Sequence, residues 1–545
     1  MASQKSKEVP ALEKFDQIVA ISQDSINANL KVRFNTYKSL SKFKVDSDDD
    51  DGTGIDSTMR PPTVRLYVPD DPRKARFFLH FDKGTFSYRA RPSPEVKKKE
   101  LFTHSMDNWT LAFMATLSQH RRKANEAPGL IPDKVLAQLD NPGSYSLTQI
   151  ILDLTTSSVV NFDLDACVTP GLNLLDKEEN KARTYLRNFM NDYIDTIAKE
   201  GHTIVGSALT KDRDGLMTKS TASLPPVYLK TQTMRANQNE VDNGGNDAFL
   251  FCELLAHRPA DPESFGPLEG WKQWVKAPAS GTMVIAHRSI WNGYFVERLR
   301  FFIPEMIDLL GTVNNWLSIP LSEPVQSDKS LPWKIGAECP TANGVTPQWN
   351  SISELCSYQW SNEIKSQWTE VIDWGRDIDH TSAAGHGVLI QTQIVPNTNQ
   401  IGVFVRLATV EGNVSDKDVI FTHVGSAKFR SCLVEFTVNF PLETVEDGAL
   451  GFGKPVIKVL QKNVHCYEGE MGWFSNDINP QRELADRIVG FIESRLASND
   501  FLDKLSKGIK NQAMFQFSGG RTFMFKDPSF NGDGDLTAAL TFRGS

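Results

Sequence analysis

Apolar positions recur at helical spacing in two stretches near opposite ends of the chain, and between them the pattern shortens to the alternation of strands. From Phe15 to Leu30, the residues Phe15, Ile18, Val19, Ser22, Ile26 and Leu30 form one stripe, which predicts an amphipathic helix. From Asn479 to Gln512, Leu484, Ile488, Phe491, Ile492 and Leu496 share a face, followed after a break near Ser498 by Phe501, Leu502, Leu505 and Ile509. The strongest helical signal lies between Leu172 and Gly201. There Asp176, with Glu179 three residues later, makes a capping-box pattern, and Gly201 supplies a stop. Ala182, Tyr185, Leu186, Phe189, Met190, Tyr193, Ile194 and Ile197 give it a continuous apolar face. Apolar helix faces of this kind, laid against a curved sheet, close either a solid core or an apolar tunnel.

The remainder reads as strand. Thr63–Val68 alternates, and Arg76–Arg91 predicts a hairpin in which Phe77–Phe81 and Thr85–Tyr88 flank an Asp82-Lys-Gly84 turn. Trp109–Leu117 fits a strand or a buried helix. Further strands are predicted at Pro226–Met234, Ala248–His257, Gly281–Ile290, Val388–Val395, Ile401–Val410, Ser431–Phe440, Pro455–Glu468, Met514–Ser518, Thr522–Lys526 and Asp535–Phe542. Ser322–Gln348 is rich in Pro, Ser and Gly and lacks periodicity, so it reads as a linker or long loop. The expected organisation is residues 1–321 and 349–545 as two parts of one elongated body, joined by 322–348.

Length and charge narrow the function classes. A chain of 545 residues has room for about three or four average domains, and β-rich architectures run larger than the average. A net charge of −8 argues against nucleic acid as partner, because phosphate-backbone affinity needs clustered Lys and Arg. The two short basic runs, Lys97–Lys99 and Arg121–Lys123, read as solvated faces. The first ten residues contain no apolar signal region, and no stretch approaches the roughly 18 apolar residues of a membrane span. The expectation is a soluble, cytoplasmic protein. Six cysteines are dispersed without a C-x-x-C pair, so they read as small buried apolar residues with neither a zinc site nor a disulfide framework.

The candidate chemistry is thin. The acidic segment Asp48–Asp51 fails as a calcium loop: with Gly52 at position six, Thr58 stands where a bidentate Glu is required. Asn531-Gly-Asp-Gly-Asp535 is explained by turn chemistry. Read as the paired carboxylate clusters of a terpene cyclase, Asp48–Asp51 and Asn191–Glu200 fail, because the first lies in a loop of a strand-rich chain. There is no G-x-S-x-G, H-E-x-x-H or phosphate-cradling motif. Asp377, Asp379, His380 and His386 are the remaining acid–base or ligand candidates, read as part of a Gly-rich turn ahead of a strand. No metal and no cofactor is expected.

Three segments carry a family resemblance: Phe15–Leu30, the Gly281-Thr-Met-Val-Ile-Ala-His-Arg-Ser-Ile stretch running on to Ile307, and Gly519–Leu536. In order and spacing they resemble the tubular lipid-binding (TULIP) superfamily, and within it the proteins encoded in clostridial neurotoxin gene clusters. Trp291 and Tyr294 stand where aliphatic residues are usual. The resemblance implies an α+β, β-rich fold: a long, strongly curved antiparallel sheet wrapped around long amphipathic helices, with a hydrophobic cleft. The expected function is therefore non-catalytic binding of a lipid or other apolar small molecule. Tyr185, Phe189, Met190, Tyr193, Ile194, Ile197, Ile488 and Ile492 are the candidate walls. Two alternatives stand beside it. One is an interaction protein whose groove is filled by side chains, with another protein as partner; the other is an enzyme that encloses an apolar substrate.

Overall fold

The computed structural model describes residues 12, 14–46, 52–68, 71–91, 97–123, 125, 145–153, 162–176, 179–199, 204–211, 226–237, 244–255, 268, 272–276, 278–295, 299, 302–317, 334–335, 356–373, 376–419, 422–444, 450–471, 479–480, 482–498, 516–517 and 521–542. Two curled antiparallel sheets dominate it. The larger runs, strand by hydrogen-bonded strand, through β2 (Lys42–Asp46), β3 (Gly54–Arg65), β4 (Lys74–Ala90), β6 (Thr110–Lys123), β7 (Tyr145–Asp153) and β8 (Ile204–Lys211). It continues through β20 (Gln516–Phe517), β21 (Arg521–Phe530), β22 (Leu536–Phe542), β11 (Gly281–Ile285), β1 (Gln17–Ser22), β10 (Ala248–Leu255) and β9 (Pro226–Met234), and β5 (Glu100–Ser105) pairs with β4. The smaller sheet orders β12 (Lys334–Ile335), β13 (Cys356–Asp373), β14 (Arg376–Val395), β15 (Gln400–Val419), β16 (Thr422–Thr444), β18 (Val456–Met471) and β19 (Asn479–Pro480), with β17 (Leu450–Phe452) on β16. The helices α1 (Gln23–Thr36), α2 (Asn180–Lys199), α3 (Phe302–Leu317) and α4 (Arg482–Leu496) are 14 to 20 residues long.

The N-terminal helix prediction is half wrong. Gln17–Ser22 is a strand between β10 and β11, buried along its whole length, and helix begins only at Gln23. Val19 and Ile21 enter the main core, whereas Ile18 and Ala20 enter a second cluster with Phe15, Leu250, Trp274 and Val284 on the opposite side of the sheet. A strand buried on both faces shows no alternation, and Ile18, Val19 and Ile21 favour the pleated state for their branched Cβ. Ser22 marks the switch: its Oγ accepts from the Ser25 amide at 3.2 Å and caps α1.

The predicted Arg76–Arg91 hairpin is instead the single 17-residue strand β4. Its Lys74–His80 half pairs with β6 and its Thr85–Ala90 half with β5, so the strand exchanges partners across the supposed turn. On its other edge β3 slips register between Thr58 and Met59, leaving Asp82 without an opposite residue as in a β-bulge. The glycine of the turn motif serves close approach. A Cβ at Gly84 would stand 2.5 Å from the Asp56 carbonyl oxygen and 2.6 Å from the Ser57 Cα. Gly84→Ala should therefore destabilise the chain by about 1–3 kcal/mol, since rigid backbone has to move; the shift of the urea midpoint at unchanged slope measures it.

The strands of the smaller sheet outrun their predicted lengths. Val388–Val395, Ile401–Val410 and Ser431–Phe440 lie inside β14, β15 and β16, which span 20, 20 and 23 residues; β18, at 16 residues, begins one position after the predicted Pro455 and runs beyond Glu468 to Met471. Apolar alternation marks only the stretches facing the core, and backbone pairing carries the strands on through polar sequence such as Gly412–Val419. The helix at Leu172–Gly201 begins later than the capping box implied. Asp176 sits in a preceding turn, and the Glu179 carbonyl accepts the Arg183 amide at 3.0 Å. Beyond β11, the strand predicted to reach Ile290 gives way to π-helix at Arg288–Phe295. Phe501–Ile509 lies outside the described residues, as do Asp48–Asp51 and all of Ser322–Gln348 except β12.

The last strands, β20 to β22, return to the larger sheet between β8 and β11, so residues 349–545 contribute to both sheets. At the junction Phe530 N donates to the Thr398 carbonyl at 2.6 Å and Thr444 Oγ1 to the Phe525 carbonyl at 2.9 Å. Phe295 packs there against Phe452 and Phe530, with centroids 5.8 and 6.3 Å away. One apolar core spans both sheets. Among the described residues no helix is long and apolar enough to cross a membrane.

Candidate functional site

α2 lies on β4 and β2 with its apolar face inward, as the 3.6-residue spacing required. Ala182, Leu186, Phe189, Met190, Ile194 and Ile197 are buried, and Tyr185 and Tyr193 are partly buried against the same core. The sheet answers with a layer of rings. Phe43 packs on Tyr193 at 4.6 Å between centroids, Phe86 meets Phe189 edge-on at 6.5 Å, and Tyr88 lies 5.9 Å from Tyr185. Behind them Phe86 meets Trp109 edge-on at 6.2 Å. Tyr88 also stacks on Phe102 and His104. Edge-to-face and offset contacts of this kind add to the area that the rings bury.

Polar contacts occur at the margins of this layer. The Tyr88 hydroxyl donates to Glu179 Oε2 at 3.2 Å just before α2 begins, and burial together with the Glu179 carboxylate pushes the phenol up to about 12. Tyr88 is therefore a donor at neutral pH. Near the other end, the Tyr193 hydroxyl donates to the Leu40 carbonyl at 3.4 Å.

Ile488 and Ile492 do not join the α2 residues at one face. They are buried on α4, which packs on β18 of the smaller sheet. Arg495 pairs with Glu305 of α3 at 2.9 Å, Phe491 meets Trp316 edge-on at 5.5 Å, and the Arg487 guanidinium lies 4.5 Å over the same indole. Lys462 of β18 and Asp486 form a further ion pair.

The acid–base candidates are not in a turn. Asp377, Asp379, His380 and His386 all belong to β14, paired on one side with Val371, Thr369, Trp368 and Asn362 of β13. Consecutive strand positions lie on opposite faces, and the six residues from His380 to His386 span about 20 Å. Asp377, Asp379 and His380 thus fall within four positions at the start of the strand, and His386 is set apart from them. The His386 side chain is buried under α3, its Nδ1 within hydrogen-bonding distance of Thr409 Oγ1 (2.8 Å) and Asn314 Nδ2 (3.2 Å). It ties a helix to a sheet. Among the described residues no group of three or more His, Cys, Asp or Glu side chains could hold a metal ion.

Sequence reasoning missed a buried polar region at the mouth of β1. The Asp16 carboxylate, fully buried, accepts from the Leu255 amide at 3.0 Å and from the Arg288 guanidinium at 3.2 Å. Arg288 also donates to the carbonyls of Leu12 (2.5 Å) and Phe15 (2.9 Å), tying the N-terminal segment to the π-helix. The Asn531–Asp535 turn closes beside it as expected. Asn531 Oδ1 accepts from the amides of Asp533 and Asp535, and Asp535 Oδ1 accepts from the His287 amide at 2.8 Å. A polar residue on each side of an apolar run, Asp16-Gln17 and Arg288-Ser289, was the available signal.

No family model matches the chain, and no curated protein sequence matches it. Among solved structures it is similar to P47 of Clostridium botulinum E1, at 10% identity and a TM-score of 0.40 over 97% of this chain and 99% of that one. It is also similar to lipopolysaccharide binding protein, at 8% identity and a TM-score of 0.28 over the same shares.

Proposed function

We propose that this chain is a non-catalytic binding protein that acts through its surface on a protein partner, with the space beneath α2 and α4 filled by its own side chains. The supporting observation is the burial of six of the eight candidate walls, Tyr185 and Tyr193 being partly buried. Met190 and Ile488 are 0% exposed, and Ile194 and Ile492 are 1% exposed. A side chain lining a tunnel wide enough for an acyl chain keeps accessible area, because internal walls count as surface. Residues with none are in contact all round. The separation of His386, buried under α3, from Asp377, Asp379 and His380 supports a role without catalysis. A soluble protein in the cytosol fits this reading.

A second reading keeps the sequence expectation, a lipid or other apolar small molecule as ligand, and rests on the unbroken apolar face of α2. If α2 lifted from β4 and β2, Tyr185, Phe189, Met190, Tyr193, Ile194 and Ile197 would line an apolar groove, with Ile488 and Ile492 in the equivalent place under α4. The resemblance to tubular lipid-binding proteins points the same way. Titration with fluorescent fatty acid and phospholipid probes separates the two. The filled core predicts no saturable uptake, whereas one-to-one saturation would make the lifted-helix reading the correct one.

A further inference from the structure

Where β1 pairs with β10, Gln17 stands directly opposite Glu253, and both side chains are fully buried. Their neighbours in the strands, Val19, Phe251 and Leu255, enter the main core, so the pair faces that core as well. Gln17 Nε2 donates to Glu253 Oε2 at 2.6 Å. The other two oxygens, Gln17 Oε1 and Glu253 Oε1, are buried with no hydrogen-bond partner. As a carboxylate, Glu253 would hold a full charge in apolar surroundings on one hydrogen bond, with two acceptors facing no donor, an arrangement that is strongly unfavourable.

We infer that Glu253 is a protonated acid that closes a cyclic acid–amide pair with Gln17, and that this pair is a proton-operated lock between β1 and β10, the third and second strands from the β9 end of the larger sheet. A proton on Glu253 Oε1, donated to Gln17 Oε1, satisfies both orphan oxygens and removes the charge. Loss of the proton restores both defects and weakens the pairing of β1, the strand that leads into α1.

The surroundings leave the pair to itself. Its flanking register partners are apolar: Leu229 on β9 beside Glu253, and Ile285 on β11 beside Gln17. Cys252, and Lys230 opposite it on β9, occupy the alternate positions that face the second cluster. Asp16 and Arg288 are bonded to each other beyond the strand end, and Ser289, which follows, is uncharged. Burial pushes the Glu253 carboxyl up from 4.5 to about 8, opposed by the bond from Gln17.

The direction of the pH response follows. The folded chain holds a proton that the unfolded chain releases above 4.5, so the lock contributes fully below that pH. Its contribution falls as pH rises from 4.5 to about 8 and is gone above. E253Q keeps the shape and an amide–amide pair but cannot titrate. The melting temperature of wild type minus that of E253Q should fall by several degrees between pH 5 and 8 and level off above; a flat difference would overturn the lock. Should E253Q fail to fold, infrared spectra of wild type carrying carbon-13 glutamate decide the matter. A protonated glutamic acid carbonyl band at pH 7 that disappears by pH 9 is expected, and its absence at pH 7 would refute the inference.

Discussion

Phe86→Ala will lower the unfolding free energy by about 3–5 kcal/mol, the range for deleting a buried aromatic ring. Phe86 is 0% exposed and touches Tyr88, His104, Trp109 and Phe189, so its loss removes the centre of the layer between α2 and the sheet. Tyr88 on β4 and His104 on β5 are held by paired strands, and Trp109 immediately precedes β6, which pairs with β4 in turn, so these rings cannot collapse into the space. The cavity left behind should be dry and should bind a small apolar molecule such as benzene, which wild type excludes. Urea unfolding measures the first effect and a benzene-dependent rise in melting temperature the second. A loss below about 1 kcal/mol would mean that the layer is loosely packed.

Arg288→Ala should cost about 3 kcal/mol, because it takes the guanidinium away from the fully buried Asp16 carboxylate and from the Leu12 and Phe15 carbonyls. The guanidinium itself is partly exposed, which places the effect at the low end for a buried pair. Lysine at the same position should restore only part of the loss, since one ammonium cannot match a fork that serves two carbonyls and a carboxylate. The Asp16→Asn, Arg288→Ala double variant should be more stable than Arg288→Ala alone, with the asparagine removing the buried charge that has lost its cation. Equal stability of the two would show that the carboxylate does not depend on Arg288.

What could be read from the residues depended on how many faces of an element are buried. α2 lies on a sheet by one face, so Ala182, Leu186, Met190 and Ile197 declared its orientation at helical spacing, and α4 did so through Ile488 and Ile492. β1 is buried on both faces, and its Ile-Val-Ala-Ile run fitted a helix stripe by coincidence. β4 carried a turn-like Asp-Lys-Gly because a strand that changes partners needs a bulge and a glycine of its own. β7, β8 and β13 went unseen, and β13, with Gln359, Asn362, Lys365 and Gln367, shows why: long-range backbone pairing supplies what its polar sequence does not announce. The candidate walls were legible as buried apolar faces. Whether such a face meets a ligand or a neighbouring ring depends on what stands across from it, and Phe43, Phe86 and Tyr88 come from distant segments. The Gln17–Glu253 pair was invisible for the same reason, since its members are separated by 236 positions.

Whether the protein's own side chains fill the space beneath α2 separates the two readings of its function, and native mass spectrometry of the full chain, with solvent extraction and lipid analysis of the same sample, decides it. The filled core predicts a single species at the mass of the polypeptide and an extract without stoichiometric lipid. A near-stoichiometric apolar molecule carried through purification would contradict it and show that α2 stands off the sheet in solution.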